Sequence, residues 1–191
     1  LGDPHPFDNV VDLPVQQPKL RRILHAGSTD PNDEESMRYY LQRVFDGQEA
    51  ESLELSDLMT TDGVSVPPPE GSRLALLTDT LPENLVDPLR RMTEAGGVIL
   101  AAVKSVEMAE SLKRLLPEGL TWTEAEVADY AILTTNDLNS RLLAPFADSR
   151  LSDFSSIRFW HYRQLQGLPV NDAVKVLAAF DSGSPAIVEV R

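Results

Sequence analysis

The chain has 191 residues, 42% of them hydrophobic, enough for one well-buried core with a short appendage at one end. Thirty acidic residues against seventeen basic ones give a formal charge of −13, which repels phosphate backbones and anionic headgroups and argues against nucleic acid or a lipid surface as partner. The chain has no cysteine, which removes disulfides, thiolate metal sites and thiol catalysis.

Residues 1–18 carry Pro4, Pro6, Pro14 and Pro18 among Phe7, Val10, Val11, Leu13 and Val15, a pattern suited to an extended segment. We read it as a linker or the end of a preceding β-rich module, with an α/β domain over 19–191. Leu20 to His25 predicts a first strand that enters a Gly27-Ser28-Thr29-Asp30-Pro31 turn, with Asp30 as N-cap and Pro31 at the first helical position. Met37, Tyr40, Leu41, Val44 and Phe45 then recur at spacings of three and four, which predicts a helix packing one apolar stripe on a sheet and ending at Gly47. A second strand is expected over Ala50 to Leu55, and a third over Leu74 to Asp79, after a proline-rich loop at 66–71.

A second helix is expected from Asn84 to Ala95, with Leu85, Leu89 and Met92 inward. The pair Gly96-Gly97 stops it and feeds the apolar run Val98 to Val103, which reads as a buried parallel strand. Ser105 caps a third helix bearing Val106, Ala109, Leu112 and Leu116. Strand and helix have now alternated three times, which predicts a mostly parallel sheet with helices on both faces.

The last third changes character. Tyr130 to Thr135, Phe159 to Leu165, Val174 to Phe180 and Pro185 to Val190 read as strands, with one helical patch near Leu138 to Phe146. Asp181-Ser182-Gly183-Ser184 joins the last two as an antiparallel C-terminal hairpin. The start at Leu1 and the finish inside an apolar strand lead us to expect a piece of a larger protein. No apolar run approaches the roughly 18 residues needed to cross a bilayer, so direct membrane insertion is not expected of this stretch.

In an open α/β sheet the strand ends facing the helix starts are where ligands bind. The residues placed there are His25, Asp79, Lys104 and Ser105, the candidate pocket. Ser105 lacks a Gly-x-Ser-x-Gly surround and is expected to cap its helix. His161 alternates with Phe159 and Arg163 and is expected to pack or hydrogen-bond within a strand, while Trp122, Trp160 and Tyr162 are expected in the core. Three histidines at 5, 25 and 161 supply no metal-ligand cluster, and no phosphate-binding glycine motif occurs, so neither metal nor cofactor is expected.

The helix-Gly-Gly-strand at 92–103, Leu142-Leu143-Ala144-Pro145-Phe146-Ala147-Asp148, Ser152-Asp153-Phe154 with Arg158-Phe159-Trp160, and the closing Phe180 to Glu189 occur in a telling order. Together they resemble the glutamine amidotransferase-like domain of bacterial BatA-type aerotolerance membrane proteins, which often carry a von Willebrand factor A domain. The resemblance covers roughly residues 19–191. It implies a flavodoxin-like, class I glutamine amidotransferase-like fold held outside the cytoplasm, on the periplasmic side of a bacterial inner membrane. It also implies a role in assembly or sensing, with other protein domains of the same anchored chain or complex as partners. True amidotransferases of this class place a cysteine on the turn after the central strand; here that turn reads Lys104-Ser105. The expectation is therefore a noncatalytic domain with no catalytic residue. The alternative is a hydrolase or amidotransferase-like enzyme using a non-cysteine site at the same edge.

Overall fold

The computed structural model of the chain describes residues 21–46, 53–60, 62–148 and 153–191. The expected N-terminal linker or β-rich end lies outside them. Strand β1 (Arg21–Ala26) leads to helix α1 (Met37–Asp46), followed by β2 (Leu53–Asp57), β3 (Leu74–Leu77), α2 (Glu83–Glu94), β4 (Val98–Ala101) and α3 (Val106–Leu112). The four strands form one parallel sheet in the order β2-β1-β3-β4. The chain thus steps outward from β1 to one side, then from β3 to the other, and the strand order reverses between β1 and β3.

Residue alternation decides what each face holds. Leu24, Ala26, Ala75, Leu77, Ile99 and Ala101 point to one face, where they pack with Leu85 and Leu89 of α2 and Met108 and Leu112 of α3. His25, Leu76, Val98 and Leu100 point to the other, which carries α1. Helices on both faces follow from right-handed crossovers running in opposite directions along the sheet.

The two-glycine stop works as the sequence predicts, and for two separate reasons. Gly96 takes a φ of +84°, a conformation that side chains with a Cβ rarely adopt, and its N–H closes on the Thr93 carbonyl. At Gly97 a Cβ would stand 2.8 Å from both the Met92 carbonyl oxygen and its Cγ. Helix α2 accommodates Pro88 in its second turn and buries Leu85, Val86, Leu89 and Met92.

Helix α1 begins later than expected, at Met37 rather than Pro31. Asp30 is not its N-cap: its carboxylate accepts from the Asn32 N–H at 2.9 Å, and Asp33 accepts from the Glu35 N–H at 3.0 Å. These local turns satisfy the backbone outside a helix and so delay its start. The expected stop at Gly47 and the first residues of the expected second strand lie outside the described residues; β2 itself runs two residues further than predicted, to Asp57.

Beyond α3 a 3-10 turn (Lys113–Leu115) precedes β5 (Thr121–Glu124), and the chain continues through β6 (Leu133–Asn136), β7 (Arg163–Gln166), β8 (Val174–Phe180) and β9 (Pro185–Val190). β5 pairs antiparallel with β7, and β6-β8-β9 form a three-stranded antiparallel sheet whose β8-β9 hairpin turns at Gly183, φ +81°. The strand at 121–124 was not predicted, because its partner lies some forty residues on and local alternation is interrupted. Trp122 packs with Ala109, Leu120 and Leu165, as expected of a core aromatic. Tyr162 stacks on Phe180 at 4.0 Å. Trp160, by contrast, is 60% exposed. His161 precedes β7 rather than lying in it and projects to the surface, with its side chain 80% exposed and Nδ1 3.8 Å from Glu124. The helical patch near Leu138 to Phe146 shrinks to turns and a 3-10 segment (Ala144–Phe146).

Candidate functional site

The carboxyl ends of β2, β1 and β3 bring three polar side chains into line on the α1 face. His25 and Asp57 are register partners across β1 and β2, while Thr78 follows two residues after Leu76, the partner of His25 on β3. Backbone register alone thus places an acid, an imidazole and a hydroxyl side by side. His25 Nδ1 lies 2.9 Å from Asp57 Oδ1, and His25 Nε2 lies 2.9 Å from Thr78 Oγ1. From α1, Arg38 Nε donates to both Asp57 oxygens at 3.1 and 3.3 Å.

His25 has no solvent exposure at all, and its two neighbours fix its chemistry. The Asp57 carboxylate can only accept, so Nδ1 carries a proton, and Nε2 shares a hydrogen bond with the Thr78 hydroxyl, which can donate or accept. Burial by itself raises the Asp57 pKa. The hydrogen bond from His25 and the charge and hydrogen bond of Arg38 outweigh it, and the carboxyl is held below its ordinary 3.8. Gly27 completes the packing, since a Cβ there would stand 2.1 Å from Thr78 Oγ1 and 3.0 Å from His25 Nε2.

The other candidate residues sit at the ends of β3 and β4, and their polar groups are also engaged. Lys104 Nζ pairs with Asp79 Oδ2 at 2.9 Å. For Asp79, burial again raises the pKa, but the hydrogen bond from Lys104 and the Thr80 N–H bring it below 3.8. Ser105 caps α3 as the sequence predicts, its Oγ accepting the Met108 N–H at 3.1 Å. The Lys104 carbonyl accepts from Arg163 Nη2 at 2.5 Å, which fastens β7 to the turn after β4.

The structure therefore divides the four candidates into two groups, His25 in the buried relay and Asp79, Lys104 and Ser105 around the next strand ends. It adds Asp57, Thr78 and Arg38, which sequence reasoning missed. A signal for Asp57 exists in Leu53, Leu55, Asp57, where an acid takes the third position of an inward-facing alternation. Among the described residues no group of three or more His, Asp or Glu side chains is placed to hold a metal ion. A shallow depression lined by Glu126, Tyr130, Tyr162 and Asp181 shares no residue with this edge.

If Ser105 serves only its helix, Ser105→Ala removes one cap hydrogen bond and costs about 1 kcal/mol. That corresponds to a melting point roughly 2–4 °C lower, readable by circular dichroism.

The fold and site define a mixed α/β protein with a four-stranded parallel sheet, added antiparallel strands and an internally hydrogen-bonded carboxyl edge. No family model and no curated protein matches the sequence. Among solved structures, a ThuA-like protein from Bacteroides uniformis superposes with a TM-score of 0.59 at 12% identity, the match covering 94% of this chain and 82% of that one. A likeness at this identity bears on the fold alone.

Proposed function

We propose that the chain is a noncatalytic interaction or sensing module on a flavodoxin-like, class I glutamine amidotransferase-like fold. In this reading it belongs to a membrane-anchored protein of the BatA aerotolerance type, faces the periplasm, and works with other protein domains of its own chain or complex. Among the described residues no helix is long and apolar enough to cross a membrane, so the anchor is supplied by other parts of that protein.

One observation carries the noncatalytic reading: the polar groups at the carboxyl edge are spent on one another. The histidine is sealed from solvent with both ring nitrogens bonded, the serine caps a helix, and the lysine is paired with an aspartate. A catalytic base must reach the proton it abstracts, and a nucleophile must reach its substrate. The order of the fold's elements and the ThuA-like likeness support the fold assignment.

A second reading rests on the same relay. Thr78, His25 and Asp57 stand in the sequence of hydroxyl, imidazole and carboxylate found in serine hydrolases. In that reading Thr78 Oγ1 attacks an acyl carbon while His25 Nε2 takes its proton and passes it to the substrate's amine or alcohol, which leaves; water then attacks the acyl-threonine, freeing the acid and restoring the hydroxyl. The total burial of His25 favours the first reading. Glutaminase and esterase assays on the purified chain separate the two. The noncatalytic reading expects no turnover above background and none changed by Thr78→Val or Ser105→Ala; turnover lost in Thr78→Val with the fold intact overturns it.

A further inference from the structure

The most exposed aromatic side chain among the described residues is Trp160, and backbone geometry sets it beside an acidic hollow. Ala131 and Phe159 form an isolated antiparallel bridge and exchange both backbone hydrogen bonds, at 2.8 and 2.9 Å. Phe159 turns onto Phe180, with ring centroids 5.3 Å apart. Alternation therefore sends the flanking residues, Tyr130 and Trp160, to the outer side of the bridge, where they stay 44% and 60% exposed. Aromatic rings held at the surface in this way are the side chains in which protein interfaces are enriched.

Tyr130 also lines the depression already described, which holds about 250 Å³ between Tyr162, Glu126, Asp181 and Ser182, with no lysine, arginine or histidine in its lining. Tyr162 is braced there, stacked on Phe180 at 4.0 Å and with its hydroxyl 2.9 Å from Ser182 Oγ. Close by in sequence, Glu124 and Asp137 have basic partners in Arg163 and Lys175. Glu126 and Asp181 have none among the described residues. The Arg158 guanidinium lies over the Tyr130 ring, 4.6 Å from its centroid, so it is spent on the ring and leaves the two carboxylates uncompensated.

We propose that this surface docks a partner protein through an arginine side chain, which enters the hollow against Glu126 and Asp181 while an apolar neighbour of that arginine packs on Trp160. Charge complementarity names the chemistry: an uncompensated acidic hollow on a chain of net charge −13 attracts a cation and repels an acid. Size names the class. Small-molecule pockets run to about 300–1,000 Å³, so this smaller hollow suits one side chain of a larger partner whose adjoining residues reach the aromatics outside it. Arginine fits better than lysine because its planar guanidinium stacks on tyrosine rings and pairs with carboxylates through parallel hydrogen bonds. The proposal rests on the interaction half of the reading above; turnover assays test the noncatalytic half, and peptide binding tests this surface.

Nitrogen-15 NMR of the chain, titrated with an N-acetylated, C-amidated Leu-Arg-Leu peptide, should show a saturable shift of the Trp160 indole N–H and leave that of the buried Trp122 in place. Exchanging the peptide's arginine for citrulline, which keeps the shape and loses the charge, should weaken binding at least tenfold. The Glu126→Gln/Asp181→Asn double variant should weaken it equally, and added sodium chloride should weaken it in the unsubstituted chain. Both positions are exposed, so the circular dichroism of the variant should match that of the unsubstituted chain. Absence of a saturable shift overturns the proposal, and so does equal binding of the citrulline peptide. Tetramethylammonium binding as tightly as the peptide also overturns it, leaving a site for a small organic cation.

Discussion

Asp57→Ala should lower stability by about 3 kcal/mol, which for a chain of this size is a fall in melting temperature of roughly 6–12 °C. The substitution leaves His25 Nδ1 without its acceptor in a site sealed from water, and leaves the Arg38 guanidinium, 13% exposed, without its counter-charge. An unpaired buried polar group costs its whole desolvation, whereas the intact pair contributes little net. The same variant should lose an acid-limb feature. Because the folded carboxyl lies below 3.8, its stabilisation is fully present above about pH 4, and is lost as pH falls through the folded value. Chemical denaturation at several pH values should therefore show a shallower decline on the acid side for Asp57→Ala. Equal slopes for the two proteins would remove Asp57 from the network.

Leu24→Ala should cost about 3 kcal/mol and as much as about 5. Leu24 lies at the middle of β1, one of the two strands flanked on both sides in the sheet, and is wholly buried against α2 and α3. Truncation removes transfer energy and leaves a cavity that rigid strands on either side cannot close. Val44→Ala, on the exposed side of α1, serves as the comparison and should change stability by less than about 0.5 kcal/mol. A Leu24→Ala loss no larger than the Val44→Ala change would contradict the placement of the core.

Much of the fold was legible because its signals are local. Gly96-Gly97 announces a helix stop by its own steric freedom, Ser105 announces a cap by its hydroxyl, and Asp181 to Ser184 announces a hairpin by its turn chemistry. The relay was not legible, since Asp57 and Thr78 lie 32 and 53 residues from His25 and meet it only through strand register. Ending the second strand at Leu55 hid Asp57, and Arg38 looked like any charged residue on an amphipathic helix. The late start of α1 was missed for the opposite reason. Asp30 and Asp33 fit N-cap chemistry and turn chemistry equally well, and tertiary context chose the turns. His161 was misplaced because Phe159 to Arg163 alternates like a strand, while only the residues from Arg163 onward find a partner in β5.

The account turns on His25 being a sealed structural link. Nitrogen-15 NMR of its ring reads that state directly. The account predicts a ring protonated at Nδ1, with a ring proton that persists against exchange with water and disappears in Asp57→Ala. A His25 ring proton exchanging as fast as that of exposed His161 would contradict it.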